Sequence, residues 1–158
     1  MGAACGSGDA PAGRVRARIA RLPHDTVSFE AAASSRHCGR SRFPSLLLTG
    51  TERGNGVLVL LRPGDSLATG QLPLLARADS TSERGAIVVA RYMVGESAHG
   101  VMLDSGAVSV TRAVGVDVLT ASVRGSGAEA AGAGRVGLEA SFESVRLGSD
   151  TVPCAATL

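Results

Sequence analysis

The three cysteines are the residues whose chemistry is most constrained in this 158-residue chain. Cys5, Cys38 and Cys154 contain no CxxC pair, so neither a zinc knuckle nor a thioredoxin-type redox motif is available. Cys38 lies among turn-forming and polar residues, and Cys154 lies near the C-terminus, where a cross-link would hold a tail that otherwise frays. We therefore predict a disulfide between Cys38 and Cys154. Two reduced, buried thiols in a cytosolic protein remain the alternative, because spacing alone does not fix connectivity.

The residues around Cys5 resemble the processing site of a bacterial lipoprotein. Gly2-Ala3-Ala4 supplies small residues before the cysteine, and a segment of Gly, Ser and Asp follows it. The resemblance implies lipidation of Cys5 and anchoring at a membrane, with residues 6–13 as a flexible spacer. We predict that residues 1–13 form a flexible leader or tether and that residues 14–158 form a single β domain. The alternative is an unmodified cysteine on a disordered leader.

Gly64-Asp65-Ser66-Leu67 contains the strongest candidate for a nucleophile. The string resembles the block that names the GDSL esterases and lipases, in which the serine attacks and a histidine of an Asp-x-x-His block acts as the base. The resemblance implies a serine hydrolase that uses Ser66 with His99, which is the one histidine after Ser66. The sequence departs from that pattern because Glu96, and no aspartate, stands three residues before His99. A serine without a positioned base is a weak nucleophile, so an ordinary turn is the favoured interpretation.

The histidines are the candidate metal ligands. Two of them stand beside a possible co-ligand, His24 beside Asp25 and His37 beside Cys38. Neighbours in an extended strand point to opposite faces and do not readily share a metal. The acidic residues that flank His99 could meet it across a hairpin, but such clusters are more often solvated loop residues. We therefore expect neither a metal nor another cofactor.

Positive charge is concentrated in the N-terminal third. All 16 positive residues are arginine, and Arg14, Arg16 and Arg18 alternate with apolar residues, which would give a strand a basic outer face. Such a face could bind an anionic polymer or an anionic surface. Nucleic acid is disfavoured, because three Phe, one Tyr and no Trp leave few side chains for base stacking. The alternative is a solvated face whose arginines reflect coding bias.

Composition already limits the class of protein. A length of 158 residues predicts one domain, and 44% hydrophobic residues with a net charge of +2 are sufficient for a packed core. This composition excludes a disordered protein. No apolar run approaches the roughly 20 residues of a membrane-spanning helix.

Short runs of β-forming residues, separated by Gly, Pro, Asn, Asp and Ser, dominate from Thr26 onward. Residues 57–62 are predicted to return as the partner strand of a hairpin after a loop at residues 50–56. Pro73 cannot donate to a ladder, so we place its strand at a sheet edge. The Gly-rich residues 125–134 are predicted to be a hairpin loop. The result is an all-β fold, a single antiparallel β-sandwich or flattened barrel of about eight to ten strands.

The segment 14–22 fits two structures. Arginine at every second position predicts a strand, whereas Val15, Ile19 and Leu22 also lie at helical spacing. We favour the strand, because Gly13 opens the run and Pro23 closes it.

The order of features along the chain resembles small bacterial lipoprotein domains of uncharacterised function. The matching features are the lipobox-like start, the run Leu46-Leu47-Leu48-Thr49-Gly50 with its hairpin, the alternating residues 105–111, and a Gly-rich loop before Leu138-Glu139-Ala140-Ser141-Phe142. The resemblance implies a β-sandwich outside the cytoplasm without known catalytic residues. We therefore expect a non-enzymatic module of the bacterial cell envelope, periplasmic or on the outer surface, which is lipid-anchored or secreted. It would bind a ligand or serve a structural role, and the residues identify neither its ligand nor its partner.

Overall fold

The computed structural model describes residues 12–21, 25–132 and 134–154, and this part of the chain forms eleven β-strands and no helix. The all-β prediction is therefore confirmed. The strands are β1 Arg14–Arg21, β2 Asp25–Gly39, β3 Leu46–Glu52, β4 Asn55–Pro63, β5 Gly70–Pro73, β6 Arg84–Val94, β7 Ser97–Met102, β8 Ser105–Arg112, β9 Val118–Ala128, β10 Arg135–Arg146 and β11 Thr151–Pro153.

The strands form one continuous sheet in the order β5-β8-β9-β10-β1-β2-β3-β4-β6-β7. Neighbours in this order are antiparallel, while β11 lies beside β2 and runs parallel to it. Residues 25–32 of β2 pair with β1, and residues 33–37 pair with β3. Because β2 continues from one half into the other, the sheet stays unbroken as it curls into a half-barrel.

Two isolated bridges connect the margins of the curled sheet. Leu74 pairs with Ala86, which brings the chain after β5 against β6. Val101 pairs with Glu129, which brings β7 against the end of β9. The strand that contains Pro73 is the first in the sheet order, so its predicted place at an edge is confirmed.

The main core fills the inside of the curl. In β1 every second side chain is buried, with Val15 and Ile19 fully enclosed and the arginines between them exposed. This alternation is the period of a strand with one face in the core, so the strand prediction for this segment is confirmed. The largest fully buried side chains include Tyr92 and Phe142.

A second, smaller apolar cluster lies on the other face of β3, β4 and β6. We call it the outer cluster; its buried members are Leu47, Leu60, Leu75, Ile87 and Cys154. The half of the sheet beneath it is therefore buried on both faces, which explains the nearly continuous apolar sequence of these strands.

The β3–β4 hairpin turns more tightly than the sequence suggests. Glu52 pairs with Asn55, so the loop is only Arg53-Gly54, with φ of 48° and 82°. Two positive φ values in a two-residue loop match the twist of the flanking strands. The hairpin is confirmed, with a loop shorter than the predicted residues 50–56.

The predicted hairpin loop at residues 125–134 is wrong in its first part. β9 continues to Ala128, and Gly125 and Gly127 pair with Leu138 and Val136 of β10. A Cβ at Gly127 would lie 1.9 Å from the carbonyl oxygen of Met102, so the glycine permits a close approach of two backbones.

The predicted disulfide is present. Cys38 and Cys154 are bonded, with their Cα atoms 5.2 Å apart and their positions separated by 116 in sequence. The bond holds β11 against the end of β2 and is compatible with an extracellular or periplasmic location. A helix long and apolar enough to cross a membrane is not found among the described residues.

Candidate functional site

The outward face of β5, β8, β9, β10 and β1 carries a broad open cavity of about 820 Å³, which we call the trough. Its central row crosses five strands in register: Gln71, Ser109, Ser122, Ser141 and Arg16. Neighbouring strands lie about 4.8 Å apart, so this row spans roughly 19 Å. Three adjacent serines thus form the floor of an elongated depression.

Longer side chains stand in the next row and give the trough its depth. Ala107, Arg124, Glu139 and Arg18 are paired in register across β8, β9, β10 and β1. The three serines in the middle of the first row and the long side chains of Arg124, Glu139 and Arg18 in the second therefore create the concavity on a face that strand alternation points toward solvent.

Two of the three arginines predicted to bind anions are already paired. Arg14 Nε lies 3.0 Å from one carboxylate oxygen of Glu30, and Arg16 Nε lies 2.9 Å from the other. Arg16 also lies 3.5 Å from Glu143. These side chains are about half exposed, so such pairs contribute little stability and can exchange partners.

Arg18 differs from its two neighbours on β1. Its side chain is exposed at the trough, and within the described part of the chain it has no hydrogen bond or ion pair. Arg124 beside it lies 3.4 Å from Glu139. The charged side chains around the trough therefore balance each other apart from Arg18, which leaves one positive charge in excess.

A second polar cluster surrounds Glu129, which directly follows β9. The Tyr92 hydroxyl donates a hydrogen bond to Glu129 Oε1, His99 Nδ1 lies 2.9 Å from the same oxygen, and Arg21 Nε lies 3.3 Å from it. The Glu129 side chain is only 8% exposed. The rings of Tyr92 and His99 stack with centroids 5.5 Å apart. Groups from β6, β7 and β1 thus converge on one carboxylate where β7 meets β9.

These contacts determine the acid–base behaviour of the cluster. The hydrogen bond from Tyr92 lowers the pKa of Glu129, and the nearby Arg21 and His99 act in the same direction against the effect of burial. Burial, followed by the bond to Glu129, raises the pKa of Tyr92 to about 12. The cluster is therefore a carboxylate held ionised by donors from three strands, and it fastens the two margins of the sheet together.

The structure separates the two residues of the predicted hydrolase. Ser66 follows β4, whose last residue, Pro63, pairs with Arg84 at the start of β6. His99 pairs with Tyr92 near the other end of β6. The length of strand between Arg84 and Tyr92 is about 26 Å at about 3.3 Å per residue. Ser66 and His99 therefore cannot act as nucleophile and base, and the hydrolase hypothesis is wrong in this arrangement.

Other candidate residues lie apart from one another. His37 lies at the end of β2, remote from His99, and Asp104 pairs with Arg135 rather than with His99. No group of three metal-ligating side chains occurs within residues 12–21, 25–132 and 134–154. Cys5 and His24 lie outside the described residues.

No protein-family model, curated protein or solved structure matches the chain.

Two features of these sites escaped the sequence analysis. Glu129 lies in the Gly-rich segment that the sequence predicts to be a loop. The residues next to it in sequence do not indicate that side chains from three distant strands contact its carboxylate. The serine floor was visible only as alternation: Ser109 and Ser141 stand between buried residues, which marks them as outward-facing but does not reveal that they are adjacent. Strand order and register, which place Ser122 between them, supply that information.

Proposed function

We propose that this protein is a non-enzymatic binding module of the bacterial cell envelope that holds an acidic polysaccharide in the trough. The observation that carries the proposal is Arg18, an exposed cation without a partner in the described chain, at the side of a cavity whose floor is made of serine hydroxyls. A guanidinium binds a carboxylate or sulfate with two parallel hydrogen bonds.

The trough supports an extended, hydroxyl-rich ligand rather than a compact one. Ser109, Ser122 and Ser141 each present a hydroxyl that both donates and accepts, which matches the hydroxyls of a sugar chain. A row of roughly 19 Å accommodates several sugar units. One positive charge in excess favours a polymer whose acidic groups are spaced by neutral hydroxyls.

An envelope location supports the same ligand class. The disulfide between Cys38 and Cys154 is compatible with an oxidising compartment, where acidic polysaccharides are accessible. Lipidation of Cys5, as its flanking residues suggest, would place the domain beside the envelope surface. Mass spectrometry of native protein tests this location, and an unmodified Cys5 with free Cys38 and Cys154 thiols would remove it.

Binding is tested with the purified chain on immobilised polygalacturonate, with neutral dextran as the comparison polymer. We expect saturable binding to polygalacturonate, weaker binding to dextran, and loss of affinity as salt increases. Arg18→Ala should weaken polygalacturonate binding by about tenfold, since a charge-assisted contact to an exposed carboxylate is worth about 1.5 kcal/mol.

Two variants separate a defined site from net charge. Arg91→Ala removes an exposed arginine from β6, on the other half of the sheet, and should bind as the parent does. Ser122→Phe fills the floor of the trough without a change of charge and should abolish binding. Equal losses in Arg18→Ala and Arg91→Ala, or equal affinity for dextran and polygalacturonate, would contradict the proposal.

A further inference from the structure

A second cavity lies at the end of the half-barrel where β10 stops and the chain leads into β11. Its volume is about 410 Å³, within the range of about 300–1,000 Å³ that is usual for small-molecule sites. We call it the mouth cavity. Apolar atoms make up most of its lining surface, with Leu46, Leu67 and Leu147 among the contributing side chains, and the polar residues include His37, Arg112 and Asp117.

The apolar part of the mouth cavity continues the main core. Leu46 is 3% exposed and belongs to the core, while Leu67 and Leu147 are partly buried and pack against it. Pro44 and Pro63 complete the apolar lining. An aliphatic chain in this cavity would be removed from water on several sides, and this is the favourable contribution expected of such a site.

Arg112 supplies the positively charged group in the lining of the mouth cavity. Its Nη1 donates to the carbonyl oxygen of Leu67 at 3.2 Å, which holds the guanidinium beside the cavity. Its one ionic partner within the described residues is Asp117, at 3.7 Å and 86% exposed. A contact this long to so exposed a carboxylate is weak, so a ligand carboxylate with better geometry can replace it.

The wall formed by residues 147–149 is held in place by hydrogen bonds to β2 and to Asp117, which directly precedes β9. Leu147 N donates to the carbonyl oxygen of Asp117 at 3.0 Å, and Gly148 N donates to Ser35 Oγ at 3.1 Å. The next segment is fixed by the bond from His37 N to the carbonyl oxygen of Asp150 at 2.8 Å. The cavity is therefore preformed, which reduces the entropic cost of binding.

We propose that the mouth cavity binds a medium-chain fatty acid, with the aliphatic chain between Leu46, Leu67 and Leu147 and the carboxylate on Arg112. The chemistry follows from the combination of a mostly apolar lining and one weakly paired guanidinium within it. The mouth cavity shares none of the residues that line the trough, so this proposal is independent of the polysaccharide proposal.

The test uses dodecanoate and 1-dodecanol, which share the chain and differ in the head group. Calorimetric titration of the full chain should give one saturable dodecanoate site per molecule. Methyl resonances of Leu46, Leu67 and Leu147 should shift on binding, while those of Leu58 and Leu60 on the other face of the sheet should not. Arg112→Gln should weaken dodecanoate binding about tenfold and leave 1-dodecanol binding unchanged.

Controls distinguish this site from general lipid adsorption. Arg91→Gln removes an exposed arginine far from the cavity and should not change dodecanoate affinity. Leu67→Phe occupies cavity volume and should weaken both ligands. The proposal is overturned if dodecanoate does not saturate, if the shifts lie in the outer cluster, if Arg112→Gln weakens both ligands equally, or if the chain binds phosphatidylglycerol vesicles but not monomeric dodecanoate.

Discussion

The His99 Nδ1 atom lies 2.9 Å from Glu129 Oε1, and this contact joins β7 to the end of β9. The same oxygen accepts the hydroxyl proton of Tyr92, whose ring is fully buried and stacks on His99. A single carboxylate thus fastens two margins of the sheet that few backbone hydrogen bonds connect. The fold should therefore be sensitive to the ionisation of Tyr92 and of Glu129.

Ionisation of Tyr92 is predicted to limit stability at alkaline pH. Because the folded-state pKa is raised to about 12, folding favours the protonated phenol. The resulting stabilisation is fully present below the ordinary value of 10.0 and is lost as pH rises through about 12. Tyr92 is the one tyrosine of the chain, so phenolate absorbance during an alkaline titration reports on it alone.

The matched variant is Tyr92→Phe. It should lower the free energy of unfolding at neutral pH by about 2 kcal/mol, because a hydrogen bond to a charged acceptor is lost. It should also flatten the fall in stability between about pH 10 and pH 12. Urea unfolding of both proteins across this range measures the difference, and an alkaline decline of equal steepness in the variant would contradict the role of Tyr92.

Asp79 is predicted to control stability at acid pH. Its carboxylate accepts hydrogen bonds from Ser82 N at 2.8 Å, Ser82 Oγ at 2.7 Å and Thr81 N at 2.9 Å. These bonds, that from Ser82 N first, lower its pKa from 3.8 to about 2. The stabilisation is therefore present above the ordinary value and is lost as pH falls through about 2.

Asp79→Asn should unfold at lower urea concentration than the parent at neutral pH, and the difference should shrink as the pH is lowered toward 2. Asp65→Asn is the control, because Asp65 is exposed in the turn after β4. It should leave the unfolding midpoint unchanged throughout. If the unfolding midpoints of the parent and both variants fell equally as the pH was lowered, the prediction for Asp79 would be contradicted.

The disulfide is predicted to be a major contributor to stability. By the chain-entropy model, a bond that closes 116 residues stabilises the fold by about 4 to 5 kcal/mol. Reduction should therefore lower the urea midpoint strongly. The double variant Cys38→Ser/Cys154→Ser should match the reduced parent and should not respond to reductant, and an unchanged midpoint on reduction would contradict the prediction.

Much of the fold could be predicted because short-range patterns determine it. Alternation in β1 gives both its strand structure and its basic outer face, and Pro73 correctly indicates an edge. The disulfide followed from the positions of Cys38 and Cys154 relative to turns and the chain end. The strand and its basic face depend on residues that are neighbours in sequence, whereas the disulfide was inferred from the local surroundings of each cysteine.

The sites could not be predicted because they depend on which strands become neighbours. Arg14, Arg16 and Arg18 look equivalent in sequence, yet the fold brings Arg14 and Arg16 against Glu30. Arg18 lies opposite Glu139 in the register of β1 and β10, and within the described chain that carboxylate is paired with Arg124 instead. Ser66 and His99 likewise have the residue types of a hydrolase, and only topology separates them.

Gly127 is predicted to be required where β9 passes the backbone of Met102. Gly127→Ala places a Cβ 1.9 Å from the carbonyl oxygen of Met102 and 2.7 Å from its carbon, and backbone atoms cannot move aside as a flexible side chain can. We expect a loss of about 1 to 3 kcal/mol in the free energy of unfolding.

Gly137→Ala on β10 is the matched control, because the nearest atom to its Cβ is 4.0 Å away. It should be neutral or stabilising by up to about 1 kcal/mol, since alanine restricts the unfolded chain. If residues 125–128 were a loop, the two variants would have similar stability, so urea unfolding of the pair discriminates between a loop and a strand pressed against Met102.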